Sequence, residues 1–185
     1  MLRRTFLAML AAGLAGCDTA VPMRPALLRK ELTGPYQLDS GDRLRITVFE
    51  QASLTNSYAV DQSGYVTLPL VGPIPARGST TQQLAGRIAA ALRKGFLRDP
   101  DVSVEVETYR PFFIMGEVRT PGQYTYVDGL TVQTAIAIAG GYTPRAYERH
   151  VEISRKINDQ LITGTVPPSE AVRPGDVIRV RQRLF

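Results

Sequence analysis

The feature that most constrains this fold is strict alternation in two short segments with one helical stretch between them. In "RLRITV", Leu44, Ile46 and Val48 alternate with Arg43, Arg45 and Thr47. In "DVSVEVETY", Val102, Val104 and Val106 alternate with Ser103, Glu105 and Glu107. A period of two puts the apolar side chains on one face, so each segment is a strand half-buried against another layer. That layer lies between them in "GSTTQQLAGRIAAALRKG", where Leu84, Ile88 and Leu92 share one helical face with Ala85 and Ala89. Thr80 and Gln83 have capping-box spacing, and Gly95 fits the C′ position. An apolar sheet face and an apolar helix stripe cover each other, which makes a two-layer unit.

The other segments fill out two such units. "SYAVD", "QSG" and "YVTLPLVG" read as strand, turn, strand, with Pro69 and Pro73 confining the second strand to an edge or ending it early. The order β-β-β-α-β makes residues 36–109 a small mixed α+β domain. A second unit, 110–185, opens at Pro111. "FFIMGEV" is a strand, "RTPGQ" a turn and "YTYV" a return strand. "LTVQTAIAIAGGY" is a short helix from Thr131, closed by Gly140-Gly141. "HVEISRK" and "QLITGTV" form a hairpin around Asn158-Asp159, and "SEAVRPGDVIRVRQRLF" ends the chain with a turn and a strand. One pattern occurs twice: Gly41-Asp42 in "SGDRLRITV" and Gly175-Asp176 in "RPGDVIRVR" both open an alternating strand. A duplication produces this, and so does the general frequency of Gly-Asp turns at strand starts.

Composition removes several function classes. One Cys and one His provide neither an intramolecular disulfide nor a cluster with metal-ligand spacing, so no metal is expected. The net charge of +5 falls to +3 once Arg3 and Arg4 are set aside. The basic residues in "LLRKE", "ALRKGFLR" and "RVRQRLF" neither form a long run nor interleave with stacking aromatics, so no nucleic-acid partner is expected. They read as scattered solvated charges.

The lone cysteine has a use at the N-terminus. Arg3 and Arg4 precede "TFLAMLAAGLAG", an apolar run too short to span a bilayer. Residues 1–16 therefore read as a signal peptide. Leu14-Ala15-Gly16-Cys17 resembles the bacterial lipobox, in which the Cys becomes the acylated first residue of the mature protein. Cys17 is the expected lipid-attachment site. Each buried CH₂ contributes ~0.8 kcal/mol, and two chains already anchor a protein stably. Residues 17–35 read as the lipidated N-terminus and a tether, and no later segment is apolar enough for a transmembrane helix.

No reaction is legible. Cys17 is used up by acylation, and His150 beside Arg149 reads as a surface or loop histidine. Asp39, Asp42 and Glu50 are the carboxylates to try as a glycosidase pair, but Asp39 and Asp42 sit in a turn where such side chains bond nearby backbone. "GEVRTPG" joins two strands, whereas a phosphate loop opens a helix. The expectation is no catalytic residue, no cofactor, and a role in binding, assembly or conduction.

Two ordered motif sets carry a resemblance. Tyr36, Gly41-Asp42, Asp61, Gly64, Leu68-Pro69-Leu70-Val71-Gly72 and Gly78-Ser79-Thr80 resemble the polysaccharide biosynthesis/export domain. Gly116-Glu117-Val118, Pro121-Gly122, Tyr124, Thr131, Ala135-Ile136 and Ala139-Gly140-Gly141 resemble the soluble-ligand-binding β-grasp (SLBB) module that follows it, and Gly175-Asp176 sits in a similar closing segment. The resemblance implies a non-enzymatic export lipoprotein of the capsule and exopolysaccharide type. It would be a homo-oligomeric ring around a lumen for polysaccharide, docked on an inner-membrane co-polymerase that is often linked to a tyrosine kinase. The alternative is a monomeric envelope lipoprotein that binds a small ligand or glycan through its β-grasp module. Longer relatives add β-grasp modules and a C-terminal helix that crosses the outer membrane. This sequence stops at Phe185 after one module, so a separate outer-membrane β-barrel is an expected partner. The expected location is the envelope facing the periplasm, with the outer membrane favoured. Asp18 keeps the inner membrane open, because in enterobacteria an Asp beside the acylated Cys tends to retain lipoproteins there.

Overall fold

The computed structural model describes residues 35–157 and 160–183. Cys17, Asp18, the leader, most of the tether, the Asn158-Asp159 turn and the last two residues lie outside the described residues.

The first alternating segment forms β1 (Arg43–Val48), the central strand of a three-stranded antiparallel sheet. Its neighbours are β2 (Asn56–Ala59) and β5 (Val102–Thr108). Ile46 pairs with Asn56 on one side and Val104 on the other. The alternation becomes a buried face: Leu44, Ile46 and Val48 are buried, and Arg43, Arg45 and Thr47 are exposed. Helix α1 (Thr81–Arg93) buries Leu84, Ile88 and Leu92 against this face. Each of the three side chains contributes about 1.5–3 kcal/mol on burial. The capping box is formed: Gln83 N–H donates to Thr80 Oγ1, and Thr80 N–H donates to Gln83 Oε1 at 3.0 Å.

The sequence predicts three strands before this helix, and there are four. "YVTLPLVG" is not one strand. It splits into β3 (Tyr65–Leu68) and the start of β4 (Gly72–Pro75), an antiparallel ribbon closed at Leu68 and Gly72. Leu70 turns the chain between them with φ +70°, a left-handed conformation that is uncommon outside glycine. Pro73 and Pro75 alternate along β4, so their missing N–H groups fall on one side of a two-stranded ribbon, where proline is tolerated. Val66, Leu68 and Ile74 from this ribbon join Leu38 and the α1 stripe in the first core.

The second unit is a mixed five-stranded sheet of β6 (Phe112–Gly116), β7 (Gly122–Tyr124), β8 (Val151–Ile157), β9 (Gln160–Val166) and β10 (Val177–Val180). The order is β7-β6-β10-β8-β9. Its first and last strands, β6 and β10, run parallel side by side, and every other pairing is antiparallel. One helix, α2 (Val132–Ile138), lies between the two hairpins in sequence. This is the β-grasp arrangement. Val132, Ala135 and Ile136 of α2 pack into a second, separate core with Phe112, Ile114, Ile153 and Ile178. The return strand is shifted from its expected place in "YTYV". Gly122 and Gln123 pair with Ile114 and Phe113, and the strand ends at Tyr124.

Candidate functional site

The two Gly-Asp turns are built alike. At the first, Asp42 N–H donates to the Asp39 carbonyl at 3.2 Å, and Asp39 N–H donates back to the Asp42 carboxylate at 2.9 Å. At the second, Asp176 N–H donates to the Arg173 carbonyl at 3.1 Å, and Arg173 N–H donates to the Asp176 carboxylate at 2.7 Å. Gly41 (φ +93°) and Gly175 (φ +85°) take the left-handed conformation that closes each turn. Both carboxylates are fully buried, and each is met by an arginine. Arg155 holds Asp176 with a two-pronged contact, Nε to Oδ1 at 2.8 Å and Nη2 to Oδ2 at 2.7 Å. Arg110 gives Asp42 its backbone N–H at 3.0 Å and Nη1 at 3.3 Å, while the Tyr36 hydroxyl donates to the same carboxylate at 2.7 Å.

Arg110 lies between the two units and touches both turns. A side chain at Gly41 would meet its Cβ at 3.5 Å, and one at Gly175 would strike its Nε at 2.6 Å. Gly175 N–H donates to the Pro111 carbonyl at 3.1 Å, and Phe113 N–H donates to the Asp176 carbonyl at 2.9 Å. An edge-to-face chain of rings runs beside this seam. Tyr36 meets Tyr109 at 5.0 Å, and Tyr109 meets Tyr126 of the second unit at 5.3 Å. Burial first, and then the Asp42 carboxylate, hold the Tyr36 hydroxyl far above the ordinary tyrosine range, with Arg110 opposing. It therefore stays a donor.

The seam opens into a cleft of about 690 Å³. Arg77 and Arg110 reach it from the first unit and the linker, and Arg155, Lys156 and Arg173 from the second. Among the described residues, Asp39 is the carboxylate in its wall, held by Arg77 Nε at 2.8 Å. The buried Asp42 and Asp176 stand behind. Among the described residues, five basic side chains from both units and the linker gather at this cleft.

The remaining sequence-predicted residues gather elsewhere. The 116–122 connection packs on the C-terminal end of α2. Arg119 N–H donates to the Gly141 carbonyl and Thr120 N–H to the Ala139 carbonyl, both at 3.0 Å. Gly140 and Gly141 both have positive φ and turn the chain back to receive it. Gly116 has φ +88°, and a Cβ there would overlap the Val180 carbonyl. Pro121 directly precedes β7, and Gly122, expected in the turn, is already paired within that strand. His150 is exposed and stacked on Tyr147. Glu50 is exposed at a turn with φ +58° and does not line the cleft that Asp39 lines.

Sequence reasoning missed Arg155 and Arg110. Arg155 had a signal, because in "VEISR" it shares the period-two face of Val151 and Ile153, so an arginine was due inside the core. Arg110 had none, since its role depends on two turns 134 positions apart meeting at the linker.

Comparisons with known proteins agree with this architecture. Residues 30–107 match the family described as Polysaccharide biosynthesis/export protein, and residues 111–166 match the SLBB domain. The chain is 41% identical over 118 residues to the "Exopolysaccharide production protein ExoF" of Rhizobium meliloti, covering 57% of this chain and 28% of that one. It is 26% identical over 183 residues to the "EPS I polysaccharide export outer membrane protein EpsA" of Ralstonia nicotianae, covering 80% and 48%. It is 25% identical over 163 residues to the "Polysialic acid transport protein KpsD" of Escherichia coli, covering 81% and 29%. The chain thus spans less than half the length of each of these relatives. It joins a segment that matches the polysaccharide biosynthesis/export family model to an SLBB domain of β-grasp topology.

Proposed function

We propose that this protein is a non-enzymatic component of a capsule or exopolysaccharide export path, acting as an oligomeric ring in the cell envelope. The observation that carries the reading is the two matched domains in this order, shared with relatives named for polysaccharide export and transport. The geometry supports it in two ways. The buried carboxylates are engaged by arginines and backbone N–H groups in turns, which leaves them structural. The β-grasp sheet also ends in β9, an edge strand carrying Leu161 at 71% exposure, and β6 shows Phe113 and Met115 on its outer face. Open edges and exposed apolar side chains favour association with further copies.

In this reading Cys17 carries the lipid anchor and the folded units, 36–109 and 110–185, face the periplasm, with the outer membrane preferred. An inner-membrane co-polymerase and a separate outer-membrane β-barrel complete the path. Mass measurement of the detergent-solubilised protein tests the ring, since a monomer at all concentrations overturns it. Cys17→Ser should leave the fold intact and release the protein from membranes. Continued sedimentation with membranes after a high-salt wash overturns the anchor. The cleft favours one second reading, a monomeric lipoprotein that binds a glycan or small ligand, and the same mass measurement separates the two.

A further inference from the structure

We propose that the outer face of the β-grasp sheet, where Arg145, Arg179, Arg181 and Arg183 surround the stacked Tyr147 and His150, binds a linear acidic polysaccharide. The face follows from strand alternation. Ile178 and Val180 of β10 are buried in the second core, so Arg179 between them points outward. Past the strand, residues 181–183 pair with 145–147. Tyr147 N–H donates to the Arg181 carbonyl and Arg183 N–H to the Arg145 carbonyl, both at 2.8 Å, with Ala146 opposite Gln182. Ala146 is buried, so Arg145 and Tyr147 stand on the outer side with Arg183 and Arg181. All four arginines and Tyr147 are exposed, and His150 stacks on Tyr147 with ring centres 6.3 Å apart. Helix α2 packs on the opposite face through Val132, Ala135 and Ile136, which leaves the outer one open.

The kind of partner follows from charge and spacing. Among the described residues Glu152, opposite Arg179 in the register, is the carboxylate on this face, and Arg181 holds it. On the bordering connections, Glu148 with Arg149 and Glu117 with Arg119 add one charge of each sign. Four arginines against one glutamate make the face basic, and a basic surface attracts a polyanion. Alternate residues of an extended chain lie about 6.8 Å apart, so Arg179, Arg181 and Arg183 form a row about 14 Å long, which suits a chain of carboxylates better than a single ion. A guanidinium grips a carboxylate with two parallel donors. Tyr147 offers a ring with an apolar body and a polar tip to a sugar of the same character. A second copy seated face to face would set like charges against each other. A membrane-binding face carries Trp, Phe or Leu beside its cations. Here the rings among the arginines are Tyr147 and His150, and Phe113 lies toward the seam, opposite Val177. The choice of a polysaccharide rests on the export reading, whereas the polyanion stands on the face alone.

The test is isothermal titration of the full-length, detergent-solubilised protein with hexameric oligogalacturonate, monomeric galacturonate, a neutral glucose hexamer and hexaglutamate. The acidic sugar hexamer should bind at least about tenfold more tightly than its monomer, because a chain engages several arginines at once. The neutral hexamer should not bind, and hexaglutamate should bind more weakly than oligogalacturonate. Affinity should fall between about 0.05 and 0.5 M NaCl, because exposed charges are screened. The double variant Arg145→Gln/Arg183→Gln should weaken binding about three- to twentyfold with an unchanged melting temperature, since the pairing at these positions runs through the backbone. Arg45→Gln, exposed on β1, should change neither. Micelles containing phosphatidylglycerol should leave hexamer binding in place. Equal binding of the neutral hexamer, a monomer as tight as the hexamer, tighter binding of hexaglutamate, loss of binding in phosphatidylglycerol, no binding at all, or an unaffected double variant each overturn the proposal. Polysaccharide secretion by a deletion strain is read separately. Normal secretion sinks the export reading and leaves the polyanion face standing, while lost secretion without oligogalacturonate binding sinks only this proposal.

Discussion

Asp176→Asn should destabilise this protein more than Asp42→Asn, although the two residues occupy the same position in equivalent turns. Each substitution keeps the shape and removes the charge, so the difference lies in what the partner arginine does next. The Arg155 side chain is 6% exposed, and without Asp176 its charge is left in the interior with no carboxylate. Orphaning one member of a buried pair costs about 3–5 kcal/mol. The Arg110 side chain is 20% exposed at the cleft, where water and Tyr36 take over part of its solvation. The loss at Asp42 is that of charge-assisted hydrogen bonds from Tyr36, Arg110 and two backbone N–H groups, about 1.5–3 kcal/mol. In a unit of roughly 75 residues each kcal/mol lowers the melting temperature by about 4–8 °C. Asp176→Asn should therefore lower it by more than about 12 °C. The chain has no Trp, so circular dichroism with urea and heat is the assay. The double variant Arg155→Met/Asp176→Leu should recover most of the loss, because it removes the orphan charge with its partner. A larger loss for Asp42→Asn, or a double variant no better than Asp176→Asn, would refute the assignment of the cost to a stranded guanidinium.

Three further outcomes follow from local geometry. Gly116→Ala and Gly141→Ala share φ +88°, yet only the first places a methyl on the Val180 carbonyl, so Gly116→Ala should be far the worse in urea midpoint. Gly141→Ala should show only the left-handed backbone cost of about 1–2 kcal/mol. Gly175→Ala should exceed Gly41→Ala, since its Cβ strikes Arg110 Nε at 2.6 Å whereas the other meets ordinary contact at 3.5 Å; equal losses would remove Arg110 from the seam. The Tyr36 hydroxyl is held above its ordinary value of 10.0 by burial and then Asp42, so the folded state keeps its proton more tightly than the unfolded chain. The stability this contributes is complete below about pH 10 and is lost as pH rises further. Tyr36→Phe should flatten urea midpoints measured from about pH 8 to 11, by up to one proton, or about 1.4 kcal/mol per pH unit. An unchanged slope would place Tyr36 outside the buried network.

The sequence by itself determined the elements that carry their own periodicity and caps. The alternation of β1 and β5, the Leu84-Ile88-Leu92 stripe and the Thr80 capping box are local patterns, and burial followed them, fully in β1 and α1 and with Val104 buried and Val102 and Val106 half-buried in β5. Left-handed glycines at 41, 140, 141 and 175 were legible for the same reason, since a turn's backbone need is local. The β4 strand was hidden because its prolines argue against a strand, and only the pairing partner β3 makes an alternating Gly-Pro-Ile-Pro segment extended and tolerable. The start of β7 was hidden because Gly122 carries a turn signal while its pairing with Ile114 is a long-range register. The cleft was decided by tertiary structure alone. Arg77, Arg110 and Arg173 are ordinary basic residues in sequence, and nothing local distinguishes them from the solvated charges elsewhere, while Arg155 carries only the local signal of sharing the buried face of Val151 and Ile153. They become a site only because the two Gly-Asp turns dock against one linker arginine, which sets five cations facing each other across a gap. Electrostatic convergence depends on distance in space, and a one-dimensional pattern carries periodicity but not that distance.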